Sequence, residues 1–212
     1  MIKAIRNALK VKDIRERILF TLLCLAVVRL GSQLPIPGID RSRISEFLNQ
    51  ITQLSFLNAI TGGSFEQLSI FALSITPYIT SSIIMQLLTI AIPRLEEIQK
   101  EGEEGRKKIG AATRYVTVAL ALIESIAMAI GFGRSGYLEN YSVLSVIVIT
   151  LTLTAGSAFL MWIGEKITDK GVGNGISIIL LVNIVSRMPS DIINLFKTYV
   201  IGGTTVINKV IA

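Results

Sequence analysis

Long hydrophobic runs with few charges alternate with short charged stretches along this 212-residue chain. A run of about 20 apolar residues is long enough to cross a bilayer as a helix. The pattern predicts five such spans and the start of a sixth, at 18–34, 68–92, 115–132, 142–163, 176–195 and 199–212. We therefore expect an all-α polytopic membrane protein.

The polar segments between these runs predict the remaining elements. Residues 1–17 have the basic amphipathic pattern that is typical of an interfacial helix. Residues 41–66 are too interrupted to span and are expected to form an external segment, and charged loops are expected at 93–114 and 164–175. Because the basic residues concentrate in the first segment and the two loops, these parts and the N-terminus are predicted to lie in the cytoplasm.

The run at 68–92 carries a polar row whose spacings of four, four and three place it on one helical face. Its members are Tyr78, Ser82, Gln86 and Thr89. Lipid offers no hydrogen-bond partners, so the row is expected to face partner helices or a water-filled cavity. Pro77 lies in the interior of this run, where it would remove one backbone hydrogen bond, either as a tolerated kink or as part of a shaped wall.

A short apolar stretch in the external segment, 54–60, is predicted to form a helix that ends at Gly62 and Gly63. It is too short to cross a membrane, although it could enter and return where protein or water satisfies its ends. The glycine pair has two interpretations. It could simply terminate a surface helix, which the sequence alone favours, or it could be the hinge of a movable element.

Two aliphatic pairs repeat the four-residue helical spacing: Ile75 with Ile79, and Ile176 with Leu180. Such pairs are common in spanning helices, so spacing alone favours ordinary packing or lipid contact. The alternative is that the pairs converge. A ring of branched aliphatic side chains at a narrow point excludes water and closes a pore to ions by dewetting.

Composition supports the membrane class and narrows the chemistry. The chain is 51% hydrophobic and 17% charged, with a mean hydropathy of +0.62. It has no histidine, and Cys24 is its single cysteine, so a disulfide within the chain is excluded and a metal site is not expected. Without histidine or paired intramembrane carboxylates, we expect neither an enzyme nor a cofactor.

Two charged features have more than one interpretation. Glu124 lies in the middle of 115–132 and suggests either a proton relay or a hydrogen-bonded packing role, of which the lack of charged companions favours packing. Arg106, Lys107 and Lys108 stand in the first charged loop. They are either a solvated surface or a contact for acidic protein or RNA phosphates.

Several segments closely resemble the SecY family of bacterial protein-export channels. They are PIPGID after the first run, TGGSFEQLSIFALSITPYITSSIIMQLL, EEIQKEGEEGRKKIGAATRY and LMWIGEKITDKGVGNGISIIL, in the order and spacing of the family. The resemblance covers residues 1 to about 200. It implies the N-terminal half of a channel built from two pseudo-symmetric halves: five transmembrane helices plus a short plug helix at about 54–63.

The resemblance also implies roles for particular residues. The plug, which would stopper the channel from outside, corresponds to Leu54, Phe56, Leu57, Ile60, Gly62 and Gly63. The hydrophobic pore ring corresponds to Ile75, Ile79, Ile176 and Leu180. The lateral gate corresponds to the second and third spans with the polar row, and the cytoplasmic docking surface to Arg106, Lys107 and Lys108.

The function that the resemblance implies is passive conduction of unfolded secretory polypeptides across the bacterial plasma membrane, with lateral release of membrane segments. The implied partners are the SecE and SecG subunits, the SecA ATPase, the ribosome, signal sequences and the C-terminal half of the same channel. Two alternatives remain. One is half of an inverted-repeat secondary transporter, in which Pro77 and Glu124 would serve substrate or ion binding; the other is a structural membrane scaffold without a solvent path.

Overall fold

A computed structural model describes residues 11–37, 61–65, 67–138 and 141–196. Within these stretches every regular element is a helix. The helices are α1 (Lys12–Gly31), α2 (Thr76–Ala91), α3 (Pro93–Lys100), α4 (Glu103–Arg134), α5 (Val143–Lys170) and α6 (Gly175–Phe196). The predictions at 1–10, for the plug residues Leu54, Phe56, Leu57 and Ile60, and at 199–212 fall outside the described residues.

Two of the helices, α4 and α5, are long and apolar enough to cross a membrane. Helices α2 and α3 meet at a bend of 101° and pass the same test when they are counted together. The bend falls where Pro93 opens α3, because a proline disfavours helical backbone at the residue before it. The described part therefore holds two spans by length and composition, or three if the bent pair is one span.

The helices reach further into the charged segments than the hydrophobic runs predicted. Residues 93–100 and 103–114, expected as loop, belong to α3 and α4, and α5 continues to Lys170. Residues 12–17 are likewise continuous with the helix that follows them. The end of a helix that extends into water can carry polar residues on every face. Ion pairs between residues four apart, such as Lys107 with Glu103 at 3.5 Å, stabilise these polar helix ends. Hydropathy alone marks only the part of a helix that is apolar.

The prediction of one continuous span at 68–92 is wrong in its first third, because the helix begins only at Thr76. Residues 67–75 form turns and are paired instead with the chain after α1: Ile36 donates to the Leu68 carbonyl at 3.0 Å, and Ile70 donates to the Leu34 carbonyl at 3.0 Å. We refer to residues 67–75 as the entry segment. Non-helical backbone of this kind is tolerated where protein buries it, and most of the entry segment is buried.

The start of α2 also changes the role of Pro77. The proline lies in the first turn, where the backbone N–H groups have no intrahelical acceptor, so no helical hydrogen bond is lost. The prediction of an interior kink at Pro77 is therefore wrong. The proline instead favours helix initiation directly after the entry segment.

Helix α4 packs between α2 and α5 through a face of small residues. Its buried residues are Gly105, Thr113, Thr117, Ala121, Ser125, Ala129 and Gly133. Small side chains let helix backbones approach closely, which in lipid is the main route to tight packing. A hydroxyl pair forms a hydrogen bond in each contact: Ser81 with Thr117 between α2 and α4, and Ser125 with Thr154, at 2.9 Å, between α4 and α5.

Helix α5 lies at the centre and also contacts α1 and α6. It approaches the entry segment so closely at Gly156 that a Cβ there would overlap the backbone carbonyl oxygen of Ile70. The entry segment is thus held between α5 and the chain after α1. This position puts the start of α2 at the middle of the helical assembly.

Candidate functional site

One hydrophobic cluster brings together the start of α2 and the first turns of α6. Ile75 is 2% exposed, and Ile79, Ile176 and Leu180 are partly buried and packed against the same cluster. We refer to these four residues as the aliphatic ring. The other members come from α1, the entry segment, α5 and α6, and include Cys24, Val28, Phe71, Leu160, Ile163, Ile167 and Ile179.

The residue before the ring holds an unusual backbone conformation. Ser74 has φ +53°, a left-handed conformation that costs an L-residue about 1–2 kcal/mol. Hydrogen bonds compensate: Ser157 donates to the Ser74 carbonyl at 3.3 Å, and the Asn183 amide donates to the Ser74 hydroxyl at 3.5 Å. Because these partners come from α5 and α6, the network fixes Ile75 relative to the helix that carries the other half of the ring.

The turn before α6 sets the position of Ile176. The Asn174 side chain accepts hydrogen bonds from the backbone N–H groups of Ile176 at 3.1 Å and Ser177 at 3.3 Å, as a helix N-cap does. A Cβ on Gly175 would overlap the Gly164 carbonyl oxygen of α5. The glycine therefore lets α6 begin in direct contact with α5, which the sequence pattern showed only as a turn.

A polar cavity of about 450 Å³ lies on one side of the ring, and we call it the inner cavity. Ile79 and Ile176 form part of its wall, together with Tyr78, Ser82 and Gln86 of the predicted polar row. Its charged residues include Arg114 of α4 and Glu165 of α5, whose side chains are 2.7 Å apart. An adjoining cavity of about 240 Å³ is lined by Thr89, Arg106 and the same three members of the polar row.

A second polar cavity, of about 750 Å³, lies near the C-terminal end of α1, and we call it the outer cavity. Its lining includes Arg29, Gln33, Gly62, Gly63, Gln67, Ser186 and Arg187. Arg29 donates to the Gly62 carbonyl at 3.4 Å. Gly62 and Gly63 have φ +65° and φ +88°, so both use backbone that favours glycine.

The two cavities are separated by the aliphatic cluster. Ile176 borders the inner cavity and Ser186 the outer one. The two residues are ten positions apart, which corresponds to about 15 Å of helix, and Ile179 and Leu180 of the cluster lie within that interval. The aliphatic cluster therefore lies between the two cavities.

The structure separates the predicted site residues into three groups. The aliphatic ring comes together in one cluster, and the whole polar row lines the inner or the adjoining cavity. Of the predicted plug only Gly62 and Gly63 are described, at the wall of the outer cavity. Whether these groups act as ring, gate and plug stays a prediction.

The three basic residues that were predicted to dock a partner, Arg106, Lys107 and Lys108, are exposed. Lys108 donates to Glu101 at 2.9 Å, and this hydrogen bond together with the negative charge of Glu101 raises the pKa of the lysine. Lys107 pairs with Glu103 at 3.5 Å. Exposed pairs of this kind contribute little to stability, so these side chains can exchange one charged partner for another at little cost.

Sequence reasoning missed two contributions to the site. The first is the network of Ser74, Ser157 and Asn183, and the second is the ion pair of Arg114 with Glu165. Asn183 could have been noticed, since it interrupts the apolar pattern of 176–195. Nothing in the local pattern indicates that Ser74 and Asn183 meet, because they are separated by 109 residues.

Comparison with solved structures places this architecture in a known class. A protein-conducting channel aligns with a TM-score of 0.56 and 19% identity, covering 82% of this chain and 37% of that one. The Sec61 channel of a canine ribosome-channel complex from the endoplasmic reticulum gives the same TM-score and identity. By its fold, the chain is a multi-pass helical membrane protein with the architecture of these channels.

Sequence relatives then identify the family. The SecY family model matches residues 69–212, and the chain belongs to the SecY family. Protein translocase subunit SecY of Halalkalibacterium halodurans is 45% identical over 93% of this chain and 46% of its own length. The Bacillus subtilis subunit of the same name is 45% identical over 95% of this chain and 48% of its own. The chain spans about half the length of these relatives.

Proposed function

We propose that this chain forms the N-terminal half of the central subunit of a protein-conducting channel, a passive pore for unfolded secretory polypeptides. The observation that carries the proposal is the aliphatic ring, which lies in one cluster between two polar cavities. Family membership supports the same function. The transporter alternative is less well supported, since Pro77 lies in the first turn of α2, where it frees no backbone carbonyl for a substrate or an ion.

In this proposal the aliphatic ring is the seal. Branched aliphatic side chains at a constriction repel water, so ions that need a hydration shell do not pass. The same side chains make no directional bonds and can rearrange around any polypeptide. The C-terminal half of the channel would complete the ring from the opposite side. The polar cavities would hold the hydrated chain before and after the constriction.

The proposed plug would act from the outer cavity. Its hinge is Gly62 and Gly63, whose backbone lies against α6 near Asn183 and accepts a hydrogen bond from Arg29. Two adjacent glycines with positive φ permit the large backbone changes that a hinge needs. The stretch 54–60 would be the stopper that this hinge carries.

The proposed lateral gate uses two faces of α2. Tyr78, Ser82 and Gln86 face the inner cavity, whereas Leu87 and Ile90 are exposed apolar residues that do not line it. A signal sequence between these faces would meet polar groups on one side and lipid on the other. The members of the polar row would thus contact a segment before it is released into the bilayer.

The proposed setting is the bacterial plasma membrane, with the N-terminus and the charged ends of α3, α4 and α5 in the cytoplasm. The distribution of Lys and Arg supports this orientation. The proposed partners are SecE and SecG within the membrane, SecA or the ribosome at the cytoplasmic ends of the helices, and translocating polypeptides. Arg106, Lys107 and Lys108 would contact acidic groups of the motor or ribosomal RNA phosphates. No catalytic step is assigned to the chain, so energy would come from these partners.

Site-specific crosslinking tests the proposal. In a full-length channel that contains this chain and has its other cysteines replaced, Cys24→Ala removes the single cysteine of this chain, and Ile79→Cys or Leu180→Cys introduces a probe in the ring. An arrested secretory polypeptide with a thiol-reactive group should then form adducts at both positions. Leu87→Cys is the matched control, because its side chain is on α2 but 61% exposed. Equal or higher adduct yield at the control position in an active complex would refute the ring assignment.

A further inference from the structure

Glu124 lies on the wall of a largely apolar cavity of about 410 Å³ between α4 and the start of α2. The apolar walls include Phe65, Leu73 and Met128, and the hydroxyl-bearing residues Thr61 and Thr76 line the same space. This cavity shares no lining residue with the inner or the outer cavity. It is therefore separate from the proposed path for polypeptides.

The carboxyl group of Glu124 has no hydrogen-bond or ion-pair partner among the residues that the structure describes. The side chain is half-buried rather than exposed. Glu124 is also the single charged residue of α4 between Arg114 and Arg134. It stands ten residues from each arginine, so about 15 Å of helix separates it from either charged end.

A carboxylate at this depth is costly to leave unpaired. Acidic residues at the centre of a spanning helix are rare and usually pair with another group. A packing role through hydrogen bonds, which the sequence favoured, has no partner in the described part of the chain. The open volume beside the carboxyl group offers another way to compensate its charge.

We propose that this cavity binds a small hydrophobic amine, with Glu124 as the counter-ion of its ammonium group. The cavity volume falls in the range of about 300–1,000 Å³ that is usual for small-molecule sites, as does a mostly apolar lining with a few polar groups. A primary ammonium has three N–H donors. The cavity offers acceptors of the matching kind, the carboxylate of Glu124 and the hydroxyl oxygen of Thr76. The site depends on α4 spanning the membrane and not on the pore function proposed above.

The test uses adamantan-1-amine and its neutral analogue adamantan-1-ol, which have the same compact apolar cage. Binding is measured by equilibrium dialysis against a full-length channel that contains this chain, in phosphatidylcholine nanodiscs, with empty nanodiscs as the blank. We expect saturable binding of both probes to the unaltered channel. The amine should bind at least about 10-fold more tightly than the alcohol, since charged hydrogen bonds exceed neutral ones by about 1.4 kcal/mol or more.

Variants identify the group responsible. Glu124→Gln should keep alcohol binding and reduce the amine preference to about 1-fold, because the shape of the cavity is retained and the charge is removed. Glu104→Gln is the matched control: it removes a negative charge from the exposed first turn of the same helix and should leave the 10-fold preference unchanged. If Glu124→Gln binds neither probe, Glu124→Asp is measured instead, since it keeps the negative charge in a side chain of similar volume. Glu124→Asp should then retain the amine preference.

Several results would overturn the proposal. They are the absence of saturable binding above empty nanodiscs, equal affinity of the two probes for the unaltered channel, an amine preference that survives Glu124→Gln, and an amine preference lost in Glu124→Asp. Because each readout is binding of a small molecule, these outcomes are independent of the crosslinking result at the ring. A failed pore assignment would therefore leave this test unaffected.

Discussion

The contact between the glycine pair and α6 yields a quantitative prediction. At Gly62, a Cβ would lie 2.9 Å from the backbone oxygen and 3.0 Å from the Cα of Asn183, and φ is +65°. Backbone atoms of a packed helix do not move aside easily. At Gly63, with φ +88°, the nearest atom to a Cβ is the Arg187 guanidinium nitrogen at 3.1 Å, the end of a flexible side chain. Alanine should therefore cost more at Gly62 than at Gly63.

The free-energy cost of alanine at each position has two contributions, the left-handed backbone and the steric overlap of the new Cβ. The left-handed backbone alone costs an alanine about 1 kcal/mol at either position. At Gly62 the overlap with the backbone of α6 adds a further penalty, of about 1–2 kcal/mol by analogy with overpacked sites. The total of about 2–3 kcal/mol at Gly62 corresponds to a shift of roughly 30- to 150-fold toward states in which this contact is broken. The 1 kcal/mol at Gly63 corresponds to roughly 5-fold.

The assay is ion conductance of the resting full-length channel in planar bilayers, because a displaced hinge should unseat the proposed plug. Gly62→Ala should raise the open fraction strongly and Gly63→Ala weakly. Gly131→Ala is a neutral reference, since a Cβ there has open space within 4 Å. A Gly62→Ala channel that conducts no more than the unaltered one, or a larger effect of Gly63→Ala, would contradict the close contact between Gly62 and α6.

Three further predictions follow from the packing and the ring. Ile79→Asn should raise resting conductance, because a polar side chain in the aliphatic ring admits water; unchanged conductance would argue against a dewetted seal. For Ser81 and Thr117, both fully buried and bonded across α2 and α4, a double-mutant cycle of unfolding free energies should give a coupling of about 0.6–1.7 kcal/mol, and a value near zero would contradict the bond. Gly156→Ala should lower the midpoint of thermal unfolding strongly, because the new Cβ would overlap the backbone oxygen of Ile70, whereas Gly131→Ala should leave the midpoint unchanged. Equal midpoints for the two variants would refute the close approach of Gly156 to the entry segment.

Most helices were predictable because their signals are local. The apolar runs at 115–132 and 142–163 lie inside α4 and α5, and the run at 176–195 corresponds closely to α6. The helical ends outside these runs were not predicted, since charged residues in water form helix or loop with little difference in hydropathy. Ion pairs such as Arg114 with Glu165 depend on two helices lying side by side.

The entry segment shows where a periodicity argument breaks down. Residues 67–75 are as apolar as a helix needs, and yet they are non-helical. Their backbone groups bond instead to Leu34 and Ile36 after α1, and Gly156 of α5 gives them room. These partners are distant in sequence, so the hydrophobic pattern held no sign of them. The position of Pro77 was the one local hint of a later helix start.

The amino-acid sequence by itself determined the membrane class, the all-helical architecture and the place of Ile176 and Leu180 on one helix face. These follow from hydropathy and from the helical period, which act between near neighbours. Only the tertiary structure decided that Ile75 lies just before α2 rather than within it, that Ile75 and Ile79 meet the face of α6 with Leu180, and that polar cavities lie on both sides. This packing depends on small residues and glycines that let backbones approach closely, and on a buried hydrogen-bond network that joins Ser74 to Asn183. Close packing between distant segments is a property of the assembled fold, because it depends on the shapes of both surfaces at once.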